Sequence, residues 1–137
     1  MGTPKSPFDF SAEAHAKRLP DEGWHGAVIH GPRVSETEDA TWLSLPLELD
    51  TGHRVDDLIC IDADAGGRFA SRVNDGRRHA FKYLNAGGCP MKFNQLSDME
   101  AALDGVEIEV QIKWRNADFP VPAVRDVRKP VKQPQNP

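Results

Sequence analysis

At 137 residues the chain has the length of one domain. Its 39% apolar and 28% charged residues suffice for a core that needs neither a disulfide nor a structural metal. Cys60 and Cys89 match no zinc or redox spacing and read as reduced thiols of a cytosolic protein. No apolar run has the length of a signal h-region or a membrane span, so secretion and membrane insertion are excluded as readings.

The formal net charge of −4 speaks against a uniformly basic nucleic-acid binder, but it averages over strong segregation. Residues 36–64 hold nine acids and one Arg, and residues 66–92 hold six bases and one acid. Residues 97–110 then hold five acids and no base, and residues 113–132 six bases and two acids. Such blocks create local fields whatever the total is. An ordinary mixed surface produces them as well.

Taken in chain order, residues 1–18 form a polar arm that contains the aromatic pair Phe8 and Phe10. The foldable part spans residues 19–128, and residues 129–137 (KPVKQPQNP) read as an extended or disordered proline-rich tail. Residues 24–34 (WHGAVIHGPRV) are a β-type run interrupted near Gly31-Pro32. Residues 41–49 (TWLSLPLEL) alternate strictly, placing Leu43, Leu45, Leu47 and Leu49 on one face and Trp42, Ser44, Pro46 and Glu48 on the other. A turn at Asp50-Thr51-Gly52 leads into a third strand over residues 54–61.

The period then changes. Residues 77–85 predict a helix that stops at Gly87-Gly88 and shows Ala80, Tyr83 and Leu84 on one face. A shorter helical stretch over residues 69–74 is separated from it by a break at Asn74-Asp75-Gly76. Ser97 and Glu100 have capping-box spacing and open a short helix that ends at Asp104-Gly105. Residues 106–114 alternate again, with Val106, Ile108, Val110, Ile112 and Trp114 on one face. A fifth run over residues 119–127 begins with Pro120 and Pro122, as an edge or bulged strand does. Three strands, a helical connection and two strands make the chain mostly β. That is the order of a five-stranded OB-like Greek-key barrel, with its helix between strands three and four. A small α+β sheet with helices on one face is the alternative.

No catalytic constellation stands out. The five histidines form no HExxH pair, and no glycine-rich phosphate loop is present. Asp62 and Asp64 lack the rest of a calcium loop, so neither a metal nor a cofactor is expected. A nuclease using this pair with a metal is the weakest of the readings.

Binding has more to support it. If the four leucines are core, Trp42 faces outward, where a base could stack on it. Alternatively, Phe8 and Phe10 fold back to cover it. Arg68, Arg72, Arg77, Arg78, Lys82, Lys113 and Arg125 could track a phosphate backbone, although a solvated helix face would also explain Arg77, Arg78 and Lys82. The acidic block at residues 36–64 works against binding unless it lies away from Trp42.

An ordered set of marks resembles a family of short phage and prophage proteins catalogued as domain of unknown function 669. The marks are Phe8-Asp9-Phe10-Ser11, Leu19-Pro20, Trp42-Leu43-Ser44-Leu45, residues 77–85, residues 97–105 (SDMEAALDG) and residues 124–130 (VRDVRKP). The resemblance spans about residues 8–130. It implies an OB-fold protein of the host bacterial cytoplasm that binds single-stranded DNA without sequence specificity in phage replication or recombination. Phage replication or recombination proteins are its implied partners. Two departures stand out: the tail is basic and proline-rich where such proteins carry an acidic one, and Trp42 is the single evident aromatic of the binding strand. The rival expectation is an OB-like adaptor that binds protein and no nucleic acid. Edge strands could also pair across a homodimer axis.

Overall fold

The computed structural model describes residues 8–116 and 118–131. Strands form where alternation is strongest. They run β1 (Gly23–Ile29), β2 (Arg33–Glu36), β3 (Ala40–Leu49), β4 (Arg54–Ala63), β5 (Glu107–Arg115) and β6 (Val121–Arg128). All pairings are antiparallel in one six-stranded sheet. β3 is its spine: β4 pairs along one side, while β2 and β1 share the other, and the order continues through β5 to β6.

The chain is thus mostly β, and the sheet is open: β4 and β6 come close without pairing among the described residues. Where the sequence predicts five strands, the described residues form six, because the first run divides at Gly31-Pro32. Gly31 takes a left-handed φ of 65°, and Pro32 offers no N–H to continue a ladder. Asp104 accepts the Gly31 N–H at 3.0 Å and holds the bend.

The helices α1 (Ala12–Ala16), α2 (Val73–Ala86) and α3 (Leu96–Leu103) leave the sheet faces to different partners. α2 lies across β4 and β6. Its Ala80, Tyr83 and Leu84 enter the core together with Met99 and Leu103 of α3. Against them stand the four leucines of β3, with Ile29, Ile108, Val110 and Ile112. The alternation of β3 is fully realised, since Leu43, Leu45, Leu47 and Leu49 are all at most 3% exposed.

Three local expectations are corrected. The break at residues 74–76 does not exist: a 3₁₀ turn (Ala70–Arg72) runs straight into α2, through Gly76. Gly76 is there for proximity, since a Cβ on it would stand 1.8 Å from the Cys60 carbonyl oxygen of β4. Ser97 does not cap α3. The helix begins two residues earlier, at Leu96 behind Gln95, and Ser97 Oγ donates to Gln95 Oε1 at 3.3 Å. Glu100 is used elsewhere, accepting the Val34 N–H of β2 at 2.9 Å.

The arm contains α1, which sequence period did not reveal. Its N-cap Ser11 accepts the Ala14 N–H. His15 stacks on Phe119 at 4.0 Å, with Nε2 2.6 Å from the Pro120 carbonyl oxygen, which ties α1 to the turn between β5 and β6. Tail residues 132–137 lie outside the described residues. Cys60 and Cys89 are free thiols. No helix among the described residues is long and apolar enough to cross a membrane.

Candidate functional site

Because Gly76 lets α2 settle on the backbone of β4, the helix stands at the gap between β4 and β6. A cleft of about 620 Å³ opens there. Its walls are α2, the outer part of β4, and the first half of β6 with Arg115 at the end of β5. Trp42 reaches it from β3. Two bulges shape the walls. In β4 the register skips Ile61, between Thr41↔Asp62 and Trp42↔Cys60. In β6 it skips Arg125, between Ile112↔Val124 and Gln111↔Asp126. An extra residue of this kind twists the strand and re-aims side chains, and Arg125 is among the groups lining the cleft.

Five cations line the cleft: Arg72, Arg78, Lys82, Arg115 and Arg125. Three carboxylates accompany them, Asp56, Asp57 and Asp75. Lys82 Nζ is 2.9 Å from Asp126, whose carboxyl the ammonium holds below the usual carboxylate range. Arg78 stands 3.8 Å from Asp75, an exposed pair of little energetic weight. Arg72, Arg115 and Arg125 make no ion pair among the described residues. The cleft therefore has a positive excess inside a chain of negative total charge.

Asp57 is tied into the floor. Its Oδ2 accepts the Tyr83 hydroxyl at 2.6 Å and lies 2.6 Å from His79 Nε2. Tyr83 is fully buried. Burial first, and the Asp57 charge second, push its phenol well above the ordinary value of 10.0, so it remains a donor. Asp57 is thereby engaged by two partners, while Asp56 stays exposed on the cleft wall.

The aromatic part of the site is a pair. Trp42 is half-buried and meets Phe69 edge-to-face, with ring centroids 5.0 Å apart at 82°. Arg68 and Arg72 place their guanidinium carbons 4.6 and 5.5 Å from the centre of the Phe69 ring. These are cation–π distances. Leu58, 62% exposed, adds an apolar step on the β4 wall.

Of the residues singled out from sequence, Trp42, Arg72, Arg78, Lys82 and Arg125 come together in the cleft. Arg68 stands at the Phe69 corner, its Nε donating to Asp39 at 3.0 Å. Arg77 and Lys113 are not brought to the cleft. Arg77 projects from another side of α2, where its Nε donates to the Ile61 carbonyl oxygen at 2.7 Å and Asp62 lies 3.7 Å away. Lys113 is exposed on β5, out of phase with the inward residues Ile108, Val110 and Ile112. Nor do Phe8 and Phe10 cover Trp42, since they are 74% and 81% exposed. Phe69 takes that contact.

Phe69 stands at the head of the short helical stretch predicted over residues 69–74, too short a run for its phase to aim the ring at Trp42. Its place between Arg68 and Arg72 is the signal that marks it. Arg115 is one of the six bases of residues 113–132, a wider basic set within which charge counting alone does not single it out. Among the described residues, no cluster of three or more His, Cys, Asp or Glu side chains is arranged to hold a metal ion. A comparison with protein-family models and with curated proteins finds no match to this chain.

Proposed function

We propose that the chain is a single-strand nucleic-acid-binding protein of OB-like architecture, with the cleft between α2, β4 and β6 as the track for the strand. The observation that carries this reading is the convergence of five cations with Trp42 in one cleft, with Phe69 packed edge-to-face on Trp42 beside it. Cations that track a backbone and aromatic faces that accept any base are what sequence-tolerant single-strand binding requires. The OB-like assignment rests on strand order. Leaving aside the short β2, the path β4-β3-β1-β5-β6, with α2 across its two ends, is the path of a five-stranded Greek-key barrel. The resemblance over residues 8–130 points the same way, and with it to phage or prophage DNA metabolism in a bacterial cytoplasm.

The three carboxylates in the same cleft favour a second reading, in which the site takes a basic protein segment and the chain is an adaptor. One titration separates the two. Intrinsic tryptophan fluorescence is followed while an unstructured single-stranded oligonucleotide is added at low and then raised salt, with a duplex control. Under the proposed function the single strand quenches the signal, salt reverses the quenching, and Trp42→Ala weakens binding by about 1–3 kcal/mol. Silence at low salt would overturn it and leave the adaptor reading.

A further inference from the structure

On the other side of α2 from the cleft lies an apolar groove of about 350 Å³ with no part in the proposed function. Phe81, Met91, Phe93, Leu96 and Met99 line it, and Arg77 stands at its wall. Phe81, Met91 and Leu96 are 51%, 46% and 40% exposed, so the groove is an open apolar surface. Methionine walls adapt readily to aromatic guests.

The chain also carries a segment of matching chemistry. Phe8 and Phe10 flank Asp9, and at 74% and 81% exposure they touch little of their own domain. Two phenylalanine side chains amount to roughly 300–500 Å² of largely apolar surface. Most of that surface is exposed, which brings the pair to the scale of the largest apolar patch of an ordinary monomer, a feature that is often functional. Asp9 brings a carboxylate between the rings, held below its usual range by the Ser11 backbone and hydroxyl, and the groove brings the Arg77 guanidinium. Apolar rings therefore meet an apolar groove, and Asp9 meets the Arg77 guanidinium, which stays largely exposed although its Nε donates to the Ile61 carbonyl oxygen and Asp62 stands 3.7 Å away.

The arm does not lie in the groove of its own chain. Ser11 caps α1, and α1 is fastened through His15 to Phe119 and Pro120 at the β5–β6 turn. From Ser11 back to Phe8 the chain spans at most about 10 Å. The groove is built from Ile61 of β4, α2, and residues 91–99, with no contribution from α1, β5 or β6. The groove of a second copy is not fixed relative to this tether, so the arm can meet it there.

We propose that the Phe8-Asp9-Phe10 arm of one copy docks in the Phe81–Met91–Leu96 groove of a second copy, linking chains through an arm-to-groove contact. Surface patches at two different places on the molecule make the contact, so it can propagate along a row of chains unless the geometry closes it. It is independent of the nucleic-acid reading and is tested without nucleic acid.

The test is the mass of the full chain in solution by sedimentation velocity, over concentrations up to about 1 mM, the upper end of weak specific association. The variants are Phe8→Ala/Phe10→Ala, which removes the guest, and Leu96→Glu, which spoils the groove at a partly exposed position. Circular dichroism and urea midpoints verify that each is folded. The wild-type chain is expected to exceed the mass of one chain as concentration rises, while each variant alone stays at that mass. An equimolar mixture of the two variants retains one intact arm and one intact groove per pair, and it is expected to recover association up to twice the chain mass. A wild-type chain that stays monomeric throughout overturns the proposal. So does association that the variants leave unchanged, or a mixture that fails to associate.

Discussion

At Gly76 a single missing methyl group decides how closely α2 approaches β4. In a solvent-exposed helix, Gly→Ala would gain roughly 0.5–1 kcal/mol of stability. Here the added Cβ would meet the Cys60 carbonyl oxygen at 1.8 Å, a backbone atom of β4, with no flexible side chain to give way. The sign therefore reverses. Gly76→Ala is expected to destabilise by about 1–3 kcal/mol, the usual range for overpacking, seen as a lower urea midpoint at unchanged slope. A midpoint that rises would mean that the helix can retreat from β4 without loss.

Tyr83 is the second residue whose environment fixes its behaviour. Tyr83→Phe removes one of the two donors to Asp57 and is expected to cost about 1.5–3 kcal/mol, the range for hydrogen bonds to charged groups. It also changes the response to alkali. The folded phenol titrates well above 10.0 and the unfolded one near that value, so the native state retains a proton that the unfolded state loses. This contribution is complete below pH 10 and falls away as pH rises beyond it toward the folded value. Urea midpoints between about pH 8 and 11 should show an alkaline loss in the wild type that is smaller in Tyr83→Phe.

Among the elements, α3 supports the sheet by hydrogen bonds to its backbone as well as by packing. Asp104, its C-cap, takes the Gly31 N–H and Glu100 the Val34 N–H, so the helix and its cap supply acceptors where β1 gives way to β2. Glu100→Ala leaves the Val34 amide without its acceptor and is expected to cost about 1–3 kcal/mol. Hydrogen exchange distinguishes a local loss from a global one: Val34 and its neighbours in β2 should lose protection ahead of the β3 amides that face β4. Equal acceleration throughout the sheet would show that β2 does not open on its own.

At this scale it is also plain what the sequence could convey. β3 and β5 were legible because half-buried strands must alternate, and Leu43 to Leu49 and Ile108 to Ile112 do. Gly76 was misread because a glycine that ends a helix and one that lets a helix approach a strand look alike until the partner is known. The Glu100 acceptor was misassigned for the same reason, since capping-box spacing is local and its actual partner is 66 positions away. Within the site, Trp42 followed from the phase of its strand. Arg77 and Arg78, adjacent in sequence, diverge to two sides of one helix, and charge counting cannot separate them.

For the molecule as a whole, the question is whether the total charge or its placement governs binding. A net charge of −4 would repel a polyanion if the charge were spread evenly. Arg72, Arg115 and Arg125 are instead gathered in the cleft, without ion-pair partners among the described residues. Arg77, Lys92 and Lys113 lie outside it. Replacing either set of three by Ala removes the same three positive charges, so the two variants share one total. Each phosphate contact contributes about 0.7 to the slope of log K against log salt for single strands, so loss of the cleft set should make that slope shallower by about 2. Loss of the outer set should leave it near the wild-type value. Fluorescence titrations at four or more salt concentrations measure both slopes. If they change equally, the cleft is not the track for the strand, and the affinity reports only the total charge.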